Sequence, residues 1–137
     1  MSGWQDGFAQ QSQTTFAAEF ADDIVLDATA LAAPVQGRDL VATVMATASS
    51  IYETLEFTES AQAGSTSYLQ WRATAFGGMQ IRGVTILDRD AAGKITGAAI
   101  HHRPLPAVLR FSAELRDRLS GVLSAEHFIA EALFPAG

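Results

Sequence analysis

Tyr68-Leu69-Gln70-Trp71-Arg72-Ala73-Thr74-Ala75-Phe76-Gly77-Gly78-Met79-Gln80-Ile81 is the stretch that decides the fold. Leu69, Trp71, Ala73 and Ala75 alternate with Tyr68, Gln70, Arg72 and Thr74, the period of two that sends successive side chains to opposite faces of a strand. Gly77-Gly78 interrupts the alternation with a pair suited to a tight hairpin. A second strand runs from Met79 to Leu87, Asp88-Arg89-Asp90-Ala91-Ala92-Gly93 makes the next turn, and Lys94 to Arg103 is a third strand. Three antiparallel strands in a row form a meander with one face to bury. Upstream, Leu55, Phe57 and Ser60 begin another strand that turns at Gly64-Ser65.

Helical spacing surrounds this block. Leu40, Val41, Val44, Met45, Ala48, Ile51, Tyr52 and Leu55 recur at the i, i+4, i+7 spacing of an amphipathic helix opened by Gly37-Arg38-Asp39 and ending near Leu55. Trp4, Phe8, Phe16 and Phe20 are spaced in multiples of four, but Ser12 interrupts their stripe, so the spacing predicts a helix from about residue 8 that ends at Asp22-Asp23. Ile24-Val25-Leu26 reads as a short strand and Ala28 to Pro34 as an irregular connection. After the meander, Pro104 and Pro106 start a helix lined by Leu109, Ser112, Leu115 and Leu119, with Gly121 to cap it. Ser124 can N-cap a final helix in which Phe128, Ile129 and Leu133 share a face, a tail placed to cover a partner subunit or a pocket mouth.

Composition narrows the function classes. The 137 residues suit one domain, with a core over about residues 8–120 and a helical tail over 121–137. Nine Lys and Arg against fifteen Asp and Glu leave a net charge of −6, which disfavours nucleic acid and anionic membrane surfaces as partners. With no cysteine there are no disulfides, thiolate metal sites or cysteine nucleophiles. The N-terminal residues have no basic stretch leading into an apolar run, so a cytoplasmic location is expected.

The order helix, short strand, helix, long meander resembles the nuclear transport factor 2-like superfamily. The residues that carry the resemblance are Phe20-Ala21-Asp22-Asp23-Ile24-Val25-Leu26, Val35-Gln36-Gly37-Arg38, Leu87-Asp88-Arg89-Asp90-Ala91-Ala92-Gly93-Lys94-Ile95 and His102-Arg103-Pro104-Leu105. Within the superfamily the chain is similar to the SnoaL-like (polyketide cyclase-like) and ketosteroid isomerase-like proteins. The resemblance implies an α+β fold in which a cone-shaped, curved antiparallel sheet packs against helices. It also implies a small apolar molecule bound between sheet and helices, and a homodimer formed through the outer face of the sheet.

The catalytic residues of those relatives do not carry over. The general-base aspartate of ketosteroid isomerases falls on Ala28, with Asp27 one residue away on the opposite strand face. Their oxyanion-hole aspartate falls on Thr85, which keeps one hydrogen-bond donor, and their first-helix tyrosine falls near Trp4. Limonene-epoxide hydrolases, of the same fold, place an Arg and an Asp two apart on one strand; here the residue two beyond Arg72 is Thr74.

Polar groups that could still act are few. Of His101 and His102, neighbours on one strand, only one can enter a pocket; the register favours His102, as a general acid or base or as a hydrogen-bonded rim residue. Asp27 is the other catalytic candidate, should a bulge turn it inward. Arg72 holds an anionic or carbonyl-bearing ligand if its row faces inward, and lies in solvent or at a dimer interface if Leu69 and Trp71 do. Trp71 is then core or pocket wall, and Tyr52 offers its hydroxyl to a cavity or sits in the core. The Asp88 to Gly93 turn lacks the side chains of a calcium loop at its fifth and twelfth positions, and adjacent histidines on a strand cannot chelate zinc together. His127 reads as a solvated residue. No dinucleotide or P-loop signature occurs, so neither a metal nor a cofactor is implied.

These residues describe a domain that binds a small apolar molecule through His102, Thr85, Arg72, Tyr52 and Trp71, with isomerase, cyclase or hydrolase chemistry as the candidate activities. The rival is a non-catalytic dimeric module whose interior is filled by its own side chains.

Overall fold

A computed structural model describes residues 3–129. The meander is β3 (Thr54–Ala63), β4 (Thr66–Ala75), β5 (Met79–Arg89) and β6 (Ile95–Arg103), each paired antiparallel with the next. Phe76, Gly77 and Gly78 all take positive φ in the β4–β5 turn. The amides of both glycines donate to the Glu53 carboxylate at 3.1 and 2.9 Å, which ties the hairpin to the residue just before β3.

Two more strands extend the sheet beyond β6. β1 (Phe20–Ala28) pairs with β6 and the short β2 (Val35–Gln36) pairs with β1, giving the order β2-β1-β6-β5-β4-β3. β1 runs parallel to β6, so the sheet is mixed and not wholly antiparallel as the sequence suggested. A parallel partner needs a long crossover, and here β2, α3 (Arg38–Ile51) and the first three strands of the meander intervene. Register shifts in β1, in β3 and between β5 and β6 mark bulges, the device by which strands bend and twist more strongly. The sheet is curved and open.

The helices fill the concave side. Trp4, Phe8 and Phe16 of the N-terminal aromatic stripe are carried by two short helices, α1 (Gly3–Gln10) and α2 (Gln13–Glu19), where the spacing predicts one, and Phe20 already begins β1, before the expected stop at Asp22-Asp23. Gln11 turns into the left-handed region at φ 50°, and Ser12 caps α2 by accepting the Thr15 amide at 3.2 Å. The break lets Trp4, Phe8 and Phe16 fold onto one another edge to face, with ring centroids 5.3–5.6 Å apart. Each such contact adds roughly 0.5–1.5 kcal/mol beyond burial.

α3 buries Val41, Ala42, Val44, Met45, Ala48 and Ile51 against the sheet. It ends at Ile51, one turn before Leu55, because Tyr52 is already extended and leads into β3. α4 (Leu105–Arg118) buries Ala107, Val108, Phe111, Ser112 and Leu115. Phe111 takes the core position that the spacing assigns to Leu109, which is only half-buried. Ser124 does act as an N-cap, but the element it opens is a 3-10 turn (Ala125–His127) and not a longer helix. Phe128 is fully buried and bridges to Leu31, so this part of the tail closes over the 29–34 loop of its own chain. Leu133, expected on the same helical face, lies outside the described residues. Among the described residues no helix is long and apolar enough to cross a membrane.

Candidate functional site

The pairing of β4, β5 and β6 sets Trp71, Gly83 and His102 in one cross-strand row on the concave face. Gly83 lies between the two rings and has to be glycine. A methyl there would sit 2.9 Å from both His102 Cβ and Trp71 Cζ2 and would run into the His101 carbonyl. Without it, the indole and imidazole close to 6.0 Å between centroids, edge to face. The next row is Leu69, Thr85 and Ile100. Thr85 Oγ1 accepts the Trp71 Nε1–H at 3.0 Å, a buried bond that fixes the indole and leaves the threonine proton for a further acceptor.

Helices complete the enclosure. Phe111 of α4 meets His102 edge to face at 5.8 Å and stacks on Tyr52 at 5.1 Å, while Tyr52 meets Trp71 at 5.8 Å. Four rings therefore surround one point of the sheet. The cavity between them measures about 30 Å³ and is walled further by Leu26, Ala28, Val44, Met45, Ala48 and Leu115. That is room for about one water molecule. Phe8, Tyr52, Leu55 and Phe57 line this cavity and also an open groove of about 400 Å³ outside it. These four side chains are the partition between interior and solvent.

The electrostatics of the interior are those of neutral groups. His102 is 8% exposed, and neither Nδ1 nor Nε2 has a hydrogen-bond partner. Burial, with a smaller push from the neighbouring His101, lowers its pKa to about 4. It is therefore neutral at pH 7, with one ring nitrogen a donor and the other an acceptor. Burial also pushes the Tyr52 phenol above its ordinary range, so it stays protonated. Among the described residues no carboxylate lines the cavity.

Tyr52, Trp71, Thr85 and His102 thus come together on the cavity wall, and two other candidates do not. Asp27 is exposed and pairs with Ala99, so it shares the convex face, whereas its neighbour Ala28 lines the cavity. The β1 irregularity lies between Phe20 and Val25, before Asp27, and leaves its orientation outward. Arg72 is also on the convex face, held by two hydrogen bonds at 3.0 and 2.9 Å to Glu56 Oε2. Its row faces out because Leu69 and Trp71 take the core positions. His101 is exposed, and His127 Nδ1 lies 3.3 Å from the Ser124 carbonyl oxygen. Asp90 Oδ1 accepts the Ala92 and Lys94 amides at 2.9 and 3.0 Å, closing its turn. Among the described residues no three acidic or histidine side chains converge as metal ligands do. Gly83, Phe111 and Phe8 are site residues that sequence reasoning missed. A glycine inside an alternating strand, and the four-residue steps from Phe111 to Leu115 to Leu119, were the available signals.

No family model and no curated protein matches the chain. Solved structures do. An uncharacterised protein from Silicibacter pomeroyi with a cystatin-like fold superposes with a TM-score of 0.81 at 19% identity, over 86% of this chain and 83% of that one. A steroid delta-isomerase from Pseudomonas aeruginosa gives 0.78 at 18% identity, over 86% and 87%. A protein with a ketosteroid isomerase-like fold from Catenulispora acidiphila, in complex with trimethylamine, gives 0.64 at 19% identity, over 81% and 89%. The fold is nuclear transport factor 2-like. At identities this low the superpositions show the fold alone, and the chemistry has to be read from the residues of the cavity.

Proposed function

We infer that the chain is a single domain binding a small, neutral, largely apolar molecule that presents one polar group to His102 and Thr85. One observation carries this reading: an imidazole buried among aromatic rings with neither nitrogen partnered. A buried polar group left unpaired costs roughly 1–3 kcal/mol, so its retention calls for a reason. A carbonyl or hydroxyl on a ligand would pair with it, and the Thr85 proton could reach the same atom. An anionic head group does not fit, since His102 and Tyr52 are both neutral and, among the described residues, no Lys or Arg lines the cavity. A protein of the same fold that is in complex with trimethylamine supports a ligand of modest size.

Binding is better supported than turnover. A base with a pKa of about 4 abstracts protons weakly at pH 7, and no hydrogen bond to either ring nitrogen sets its tautomer. Isomerase, cyclase and hydrolase activities are accordingly the second question to ask of this cavity. The rival reading, a dimeric module filled by its own side chains, is favoured by one fact: the cavity of about 30 Å³ takes a ligand only if its partition moves.

Native mass spectrometry of protein taken directly from cells tests the proposal. The wild type should carry a neutral small molecule in substoichiometric or full amount, and His102→Leu should lose it while remaining folded. Equal retention by the variant would remove His102 from the site. A wild-type dimer without any bound molecule would favour the module.

A further inference from the structure

The convex face of the sheet carries a second feature unrelated to the cavity. Arg72 of β4 pairs in register with Arg82 of β5, and Arg82 with Arg103 of β6, so three guanidinium groups occupy one cross-strand row. Glu56 of β3 ends the row opposite Arg72 and neutralises it at 2.9 Å. Among the described residues, Arg82 and Arg103 are in no ion pair. Like charges directly opposite on neighbouring strands are destabilising unless something compensates them. The chain has only nine basic residues and a net charge of −6, so a third of its cations stand in one line on an acidic molecule. All three arginines line one groove of about 550 Å³ with Glu56, whose carboxylate is taken up by Arg72, with Gln80, and with Thr54 and Thr74, whose hydroxyls share one hydrogen bond at 2.8 Å and keep one proton between them for a further acceptor.

We propose that this groove binds a small doubly charged oxyanion of the phosphate type, free or carried as a phosphomonoester, clamped between Arg82 and Arg103. Two adjacent guanidinium forks present paired N–H groups in the geometry that phosphate oxygens accept, and two unpaired positive charges match a dianion. The occupant is small. A phosphodiester backbone or an anionic membrane needs many cations over a wide face, whereas this row offers two unpaired ones on a chain of net charge −6, enough for a compact anion only.

Titration of the whole protein with inorganic phosphate, and separately with phenyl phosphate, monitored by backbone amide NMR at constant ionic strength in chloride, is the test. Saturable shifts are expected at the amides of Arg82, Arg103 and Thr74. Arg82→Gln and Arg103→Gln should each weaken binding by about tenfold, the loss expected of one charge-assisted fork, while Arg38→Gln leaves it unchanged. Phosphate should also raise the melting temperature of the wild type and not that of the Arg82→Gln, Arg103→Gln double variant. Non-saturating drift, or equal affinity in wild type and variants, overturns the proposal. So would shifts at these amides that track protein concentration and ignore phosphate, which would assign the row to contact between copies of the chain.

Discussion

His102 shows how a single residue can be costly to the fold and still be kept. Its pKa falls from 6.5 in the unfolded chain to about 4 in the folded one, so the unfolded state takes up a proton first as the solution is acidified. Stability is therefore full above pH 6.5 and is lost as pH falls toward 4, by about 2 kcal/mol between pH 7 and pH 4.5. His102→Leu, close in volume, removes both the titration and the unpaired nitrogens. Urea unfolding should find the variant at least as stable as wild type at pH 7, and more stable by about 1 kcal/mol if the unpaired ring is as costly as such groups usually are. Its stability should also depend less on pH over that interval. A wild-type slope no steeper than the variant's would mean that His102 is hydrated or charged in the folded protein. At this scale the sequence was informative by parity. Alternation sets Asp27 opposite Leu26 and Ala28, and Arg72 opposite Leu69 and Trp71, but it left open which row of the Tyr68–Phe76 strand turns inward, and only the pairing register puts Trp71 and His102 on one face. What parity could not supply is the Trp71 to Thr85 bond or the close fit over Gly83, since both depend on which residues of β5 stand opposite β4 and β6.

Elements joined by local turns were legible, and elements joined across the chain were not. The hairpin at Gly77-Gly78 and the helix after Gly37 arise from patterns that a short window contains. The parallel pairing of β1 with β6 involves residues more than seventy positions apart, and no local periodicity encodes it. The break between α1 and α2 lies between these cases: Ser12 was visible as an interruption, but only the packing of Phe8 on Phe16 makes two helices better than one bent one. Spacing places Ser112 on an apolar helix face, and in the structure its hydroxyl joins three segments. It donates to the Ala30 carbonyl at 2.6 Å and accepts the Ile129 amide at 3.0 Å, fully buried. Ser112→Ala strands a carbonyl and an amide in the interior, at a cost of about 2 kcal/mol. Hydrogen exchange should show the loss concentrated around the 29–34 loop and residues 125–129. Uniform loss, or none, would mean that the three segments hold together without this hydroxyl.

For the molecule as a whole, the question is whether sheet and helices enclose a site or a core. The concave surface is apolar and ring-lined, as a ligand pocket is, yet it is nearly full. What separates the two cases is the mobility of the partition, and Phe8 is the member that ties it to the N-terminal helices, through Trp4 and Phe16 at 5.6 and 5.3 Å. It is half-buried on a helix of eight residues, and its contacts with Tyr52 and Phe57 are at 6.2 and 5.9 Å. Phe8→Ala removes the ring that the inner cavity and outer groove share, at a cost of about 2–3 kcal/mol because the site is not fully buried. If that ring is the barrier to a binding site, a neutral solvatochromic dye should associate about tenfold faster with the variant, a barrier lower by about 1.4 kcal/mol. Its emission should then report an apolar surrounding, and added His102→Leu should leave the rate unchanged while altering only dyes that carry a carbonyl. A variant that unfolds cooperatively, with the midpoint lowered as expected, and yet takes up no dye would show that the interior closes around the missing ring. The concave side would then be the core of an interaction module, and the binding reading would fail with it.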